Sequence, residues 1–135
     1  MKISVARPQE PKADTRAVRV LIARQWPAGL SRSQLALDAW LRDAAPSPGL
    51  EEWFKRAPDD WDTFRDRYFR ELDTKPTVVS KLIKLIGKSN SVLISTSAHE
   101  SYRSVIVLRD YLSMRPEVRS QLTTTTANPE ARKAS

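Results

Sequence analysis

The stretch Ala17–Ala23, "AVRVLIA", is the segment from which the fold can be read. Val18, Val20 and Ile22 alternate along it and share one face of an extended chain, whereas Leu21 points to the other face. A strand that is apolar on both faces is typical of a parallel sheet covered by helices. The segment therefore predicts a buried strand over residues 17–23 in an α/β protein.

The next six residues, Arg24–Gly29 ("RQWPAG"), predict a sharp turn at the end of that strand. Pro27 fixes its own backbone angle and lacks an N–H donor, so it does not continue a central strand. Gly29 permits a backbone turn or the close approach of a ligand. Trp26 is thereby held at the mouth of a strand, either as the wall of a pocket or as a plug over the core.

Further strands and helices are indicated on both sides of this segment. The sequence predicts strands over residues 2–6 ("KISVA") and 91–97 ("SVLISTS"). Ser31 or Ser33 is expected to cap a helix that carries Leu37, Trp40 and Leu41 on one face. The remaining predicted helices cover residues 50–56, 58–73, 76–88 and 99–114, with Gly87 as the expected stop of the fourth helix.

This order of elements predicts a single α/β domain over residues 1–115. Parallel strands joined by helical crossovers give a small, mostly parallel sheet with helices packed on it, a three-layer, Rossmann-like arrangement. Residues 116–135 form a C-terminal extension that we expect to be largely disordered, because its end, "TTTTANPEARKAS", has almost nothing to bury.

Composition excludes several classes of function. The 135-residue chain has no Cys, which rules out thiol catalysis, thiolate metal sites and disulfides. With His99 as its single histidine, we expect no metal site and no cofactor. No apolar run approaches the roughly 18 residues of a membrane helix, and no signal peptide is visible, so a cytoplasmic protein without membrane contact is expected. The net charge of +7 favours anionic partners; the oligomeric state is not readable.

Several linked motifs resemble a known family. The stretch from residue 19 to residue 54 matches Arg-x-Trp-Pro-x-Gly, Leu-Asp-x-Trp-Leu and Ala-Pro-Ser in order, followed by Trp-Phe. Residues 61–72, "WDTFRDRYFREL", match Trp-x-x-Phe-x-x-x-Tyr-x-x-Glu-Leu. Over residues 17–112 the chain therefore resembles the YeaO-like branch of the family named domain of unknown function 488. The resemblance implies an α/β scaffold and no assigned activity.

The chain also departs from that family at polar positions. The family's Asp before the matched Arg is Ala23, its Arg before the Gly is Ala28, and its His-Asp after Trp-Phe is Arg56 and Ala57. Ala98 stands near the last strand where the family usually has a polar residue. Scaffold residues match while polar residues at both strand ends differ, so the resemblance implies a diverged member in which a family activity would be altered or lost.

In parallel sheets, ligands bind beyond the carboxyl ends of the strands. Two such ends are Arg24–Gly29 and Ser95–Tyr102. We expect a small anionic ligand there, with Arg24 pairing the anion and Trp26 forming a wall. Gly29, Ser97 and Tyr102 complete the expected lining. The alternative for Arg24 is a structural ion pair with a carboxylate such as Asp38.

Two other functions are compatible with the sequence. Lys81, Lys84 and Lys88 share a helical stripe that would meet a nucleic-acid backbone, although such a stripe is also an ordinary solvated face. His99, after "STS" and before Glu100, would serve a hydrolase or transferase as a general base. Its alternative is an exposed loop histidine.

Overall fold

The computed structural model describes residues 1–8, 16–87, 89–95 and 99–122, and for residues 99–102 it describes the backbone alone. Within these ranges the strands are β1 (Ile3–Ala6), β2 (Val18–Leu21), β3 (Ala39–Trp40) and β4 (Ser91–Ile94). The helices are α1 (Arg32–Leu35), α2 (Pro48–Arg56), α3 (Trp61–Asp73), α4 (Pro76–Ile86), α5 (His99–Ser113) and α6 (Pro116–Arg119).

The four strands form one sheet in the order β1-β4-β2-β3, and every neighbouring pair is parallel. The chain passes from β2 to β3 through α1 and from β3 to β4 through α2, α3 and α4, and parallel pairing requires such crossovers. The prediction of a small α/β fold with a parallel sheet is confirmed. Strand β2, which the apolar run predicted, lies inside the sheet between β4 and β3.

The predicted helix through Leu37, Trp40 and Leu41 is wrong. Helix α1 is capped by Ser31 as expected, but it ends after one turn because Ala36 adopts a left-handed conformation with φ of 49°. The chain then runs beside β2 and forms β3, where the Leu41 N–H donates to the carbonyl of Leu21 at 2.9 Å. Pairing with the open edge of β2 satisfies backbone groups that a longer helix would have satisfied internally.

The other helix ends follow local rules that the sequence displays. Helix α2 has Ser47 as its N-cap, and α3 has Asp60. Helix α4 begins at Pro76 and ends at Ile86, with Gly87 as its C-cap, where a φ of 51° favours glycine. Helix α6 lies within the segment expected to be an extension, and there it buries Val118. Residues 123–135 of that segment lie outside the described residues.

The register of the sheet separates two faces. Val5, Leu93, Val20 and Ala39 pair across the four strands and point to one side, which we call the helix face. Side chains from α2 to α6 join that side in a single large core. The row one residue further along points to the opposite side, the tryptophan face, and consists of Ala6, Ile94, Leu21 and Trp40.

The two faces differ in how they are covered. On the helix face Phe54 and Phe64 stack with ring centroids 4.1 Å apart, and each is 1% exposed. The buried cluster of the tryptophan face contains Ala6, Leu21, Ala23 and Ile94. Its cover includes partly buried side chains, among them Trp26 and Trp40. Most of the buried apolar surface of the described residues therefore lies on one side of the sheet.

Candidate functional site

A cleft of about 410 Å³ opens at the carboxyl end of β2. Arg24 and Gln25 line it from the strand end, and the loop before α2 contributes Pro46. Helix α2 contributes Glu51, and α5 contributes the buried Ser104. The cleft therefore lies where parallel sheets commonly bind ligands.

Arg24 is half-buried at this cleft and is held in place by the loop before α2. Its Nε donates to the carbonyl of Pro46 at 3.0 Å, and Nη2 approaches the carbonyl of Ala45 at 3.5 Å. Asp38, the alternative partner considered from the sequence, instead accepts the backbone N–H of Arg19 at 2.8 Å. Because a guanidinium has five N–H donors, these two contacts leave donors for another acceptor.

The loop that holds Arg24 is itself fixed by helix α3. The buried Tyr68 hydroxyl donates to the carbonyl of Ala44 at 2.6 Å. The Glu71 carboxylate accepts the backbone N–H of Ser47 at 2.8 Å and the Ser47 hydroxyl at 2.6 Å. Three hydrogen bonds therefore anchor the two ends of this short loop, and they preorganise the wall of the cleft.

Burial perturbs two acidic groups beside the cleft. Desolvation raises the pKa of Glu51, while the charges of Arg24 and Lys55 partly oppose that rise. Burial also raises the pKa of Tyr68 well above its ordinary value, and the charges of Glu51 and Glu71 raise it further. Glu51 is thus a carboxyl whose pKa lies above its ordinary value because of desolvation, although a fixed guanidinium lies nearby.

Trp26 does not line the Arg24 cleft. It lines a second cleft of about 190 Å³ together with Arg32, Leu37, Asp38 and Trp40, on the tryptophan face. The structure therefore separates Arg24 and Trp26, which the sequence placed in one pocket. Trp26 also packs on the buried cluster of that face.

The other candidate residues are distributed over the molecule. Gly29 is exposed with φ of 81°, in the turn that follows Trp26. Lys81 and Lys84 are exposed on α4. Ser97 and Lys88 lie outside the described residues, as do the side chains of His99 and Tyr102.

Sequence reasoning missed the contribution of the loop before α2 and of Glu51. The sequence "AAPSPG" predicted a helix break, but it did not predict that this loop would form a wall of the cleft beside Arg24. A usable signal was the matched Ala-Pro-Ser motif, which joins this loop to the Arg-x-Trp-Pro turn in the same family pattern. In the parts of the chain that the structure covers, no group of three acidic or histidine side chains is placed to hold a metal. None of the helices described is long and apolar enough to cross a bilayer.

Comparison with known proteins gives relatives that span almost the whole chain. The family model described as the inactive DUF488-N3 subclade matches residues 2–131. The uncharacterized protein Rv3073c of Mycobacterium tuberculosis is 32% identical over 114 residues, covering 84% of this chain and 96% of that protein. The uncharacterized protein YeaO of Escherichia coli is 30% identical over 112 residues, covering 83% of this chain and 97% of that protein. No solved structure gives a significant match.

Proposed function

This chain belongs to the DUF488 family, in the subclade described as inactive DUF488-N3, and from that starting point we propose that it binds a small anionic ligand without transforming it. The description of the subclade as inactive favours a binding role over an enzymatic one. The observation that carries the proposal is the fixed, half-buried guanidinium of Arg24 in the cleft at the end of β2.

Arg24 supplies the recognition of the anion. Its contacts with the carbonyls of Pro46 and Ala45 orient the planar guanidinium before any ligand arrives. A guanidinium that is already oriented loses less side-chain entropy on binding, and its donors match the oxygens of a carboxylate or phosphate. The cleft volume of about 410 Å³ falls within the range of small-molecule sites.

Glu51 supplies a dependence on pH. When ionised, its carboxylate competes with the ligand for the charge of Arg24. When protonated, it becomes a hydroxyl donor toward an anion in the same cleft. Because desolvation raises its pKa above the ordinary value of 4.5, anion affinity is expected to rise as the pH falls toward that raised value. The other acid at the mouth, Glu52, pairs with Lys55 at 3.8 Å.

The test is a titration with inorganic sulfate, whose charge is constant over the relevant pH range, followed by NMR chemical shifts. We expect sulfate to shift the signals of the Arg24 cleft, and Arg24→Gln to weaken binding roughly tenfold or more, the size of one charge-assisted hydrogen bond. Arg119→Gln, an exposed change on α6, is the matched control for charge and should leave binding unchanged. Glu51→Gln should remove the pH dependence. Equal binding by the Arg24→Gln and parent proteins would contradict the proposal.

A second candidate function is nucleic-acid binding through α4. The observation in its favour is that Lys81 and Lys84 lie one turn apart and are both exposed. Paired replacement of both lysines by glutamate should then abolish binding of a labelled duplex, measured by anisotropy at near-physiological salt. Binding that appears only at low salt would mark the lysines as an ordinary solvated face.

A further inference from the structure

We propose that the cleft of the tryptophan face is a second binding site, independent of Arg24. It binds a nucleotide through its base, and the edge of that base carries hydrogen-bond donors. The cleft is lined by Trp26, Arg32, Leu37, Asp38 and Trp40, together with Ala39. It therefore offers aromatic and aliphatic walls, one carboxylate and one guanidinium within a single small space.

The two indoles form a rigid corner. Their ring centroids lie 5.4 Å apart and their planes are inclined by 68°. The Nε1 of Trp26 donates to the carbonyl of Leu30 at 2.7 Å, and the Nε1 of Trp40 donates to the carbonyl of Ala23 at 2.7 Å. Both indole N–H groups are thus hydrogen-bonded within the protein. The partly exposed rings therefore offer a ligand flat aromatic surface. A planar ring can stack on one indole while its edge meets the other.

The charged side chains at the cleft favour a ligand that carries an anionic group in addition to an aromatic ring. The guanidinium of Arg32 lies 5.9 Å from the ring centroid of Trp26, on an exposed side chain at the mouth. The guanidinium of Arg42 lies 5.3 Å from the ring centroid of Trp40. Both guanidiniums lie over the faces of these rings. A base that stacks on Trp26 takes the place of the exposed Arg32 side chain, which then meets the phosphate at the mouth.

Asp38 gives the site a preference among bases. One of its oxygens, Oδ2, accepts the backbone N–H of Arg19 at 2.8 Å, which fixes the carboxylate at the edge of the cleft. The second oxygen has no hydrogen bond to any described residue and is available as an acceptor. A carboxylate has about four acceptor positions on its two oxygens, so Asp38 can accept the two adjacent N–H donors of the Watson–Crick edge of guanine, one on the second oxygen and one on Oδ2 beside the Arg19 contact.

The size of the cleft limits what enters it. A volume of about 190 Å³ is below the usual range for a complete ligand, so it fits a base while the sugar and phosphate remain at the mouth. The same chemistry is offered by a free mononucleotide and by one unit of a single strand. The experiment therefore includes both sources.

The first arm uses guanosine monophosphate and inosine monophosphate in calorimetric titrations of the full chain. Inosine lacks only the exocyclic amino group, so the carboxylate of Asp38 loses one of two donors. We expect inosine monophosphate to bind severalfold more weakly. The second arm uses a labelled single strand of alternating dG and dT in anisotropy, and tighter binding of the strand would identify a nucleic acid as the source.

Charge-matched variants locate the site. Arg32→Glu and Arg119→Glu change the net charge equally, but only Arg32 lies at this cleft. We expect Arg32→Glu to weaken binding of guanosine monophosphate roughly tenfold or more and Arg119→Glu to have little effect. Trp26→Phe keeps an aromatic ring and should reduce affinity less than Arg32→Glu does, with an unchanged circular dichroism spectrum as the check on folding.

The outcomes of these experiments separate the two proposed sites and show which results overturn the second one. Failure of the parent protein to bind either the mononucleotide or the strand overturns the proposal. So does an equal effect of the Arg32 and Arg119 variants, because long-range charge would then account for binding. An effect of Arg24→Gln on sulfate but not on guanosine monophosphate would show that the two clefts are independent, and failure of either site would leave the other testable.

Discussion

The two faces of the sheet are built from adjacent residues of the same strands, yet they are packed in different ways. On β4, Leu93 and Ile94 are both fully buried, but Leu93 enters the core shared with α2 to α6 and Ile94 enters the small cluster under Trp26 and Trp40. Each face has its own cleft, one lined by Arg24 at the carboxyl end of β2 and the other lined by Trp26 and Trp40. Equal burial in the strands therefore does not mean equal surroundings.

The difference in packing between the two faces indicates which side chains are held most rigidly. Aromatic rings from two helices interlock on the helix face, where Phe54 and Phe64 stack at 4.1 Å. A cavity made there meets neighbours that are held from several sides, so little of it can close. The tryptophan face is covered in part by partly exposed side chains, which have more room to move into a space. This contrast gives three predictions, taken from the largest expected effect to the smallest.

Leu93→Ala and Ile94→Ala compare the two faces directly. Replacing a buried leucine or isoleucine by alanine lowers the unfolding free energy by about 2–5 kcal/mol, depending on how far the surrounding residues fill the cavity. We expect Leu93→Ala to lie in the upper part of that range and Ile94→Ala in the lower part. Urea denaturation of both variants measures the difference. Equal losses would show that the tryptophan face is as rigidly packed as the helix face.

Tyr68→Phe removes a single hydroxyl from the helix face. The carbonyl of Ala44 then loses its 2.6 Å hydrogen bond, and we expect a loss of about 1–3 kcal/mol in unfolding free energy. Because burial holds the folded pKa of Tyr68 above 10.0, its contribution is present below that pH and is lost as the pH rises further. Denaturation at neutral and alkaline pH should show a smaller alkaline loss in the variant. A parallel pH dependence in both proteins would contradict this.

Gly29→Ala tests the turn that carries the chain from β2 toward the tryptophan face. The φ of 81° disfavours any residue with a Cβ, although the space around it is open. We expect a loss of roughly 1 kcal/mol. Gly49→Ala is the matched control: Gly49 lies in helix α2 and also has open space around it, so alanine should stabilise the protein by about 0.5–1 kcal/mol. Thermal melts of both variants should shift in opposite directions.

Part of this structure followed from local sequence. Strand β2 was visible in the run "AVRVLIA", and α3 was visible in the spacing of Trp61, Phe64, Tyr68 and Leu72. Helix ends at Ser47, Pro76 and Gly87 obeyed capping rules that act over one turn. These features depend on contacts between residues a few positions apart, so the sequence carries them directly.

The candidate site was only partly visible. The sequence located Arg24 at the end of a buried strand, and the structure places a cleft beside it. It also grouped Arg24 with Trp26, which in fact line different clefts. The two residues are neighbours along the chain, but the turn after β2 sends their side chains toward opposite faces, which depends on backbone angles that the sequence pattern does not specify.

By itself the sequence determined the class of fold, strands β1, β2 and β4 and most helices, because hydrophobic period and capping are local properties. Only the tertiary structure decided that Trp40 belongs to an edge strand, that Asp38 contacts Arg19 and that Glu51 faces Arg24. Those contacts join residues 19 to 27 positions apart, and which of them form depends on the packing of whole elements. The sheet edge and the loop before α2 override local preference because they satisfy backbone groups that would otherwise be buried without partners.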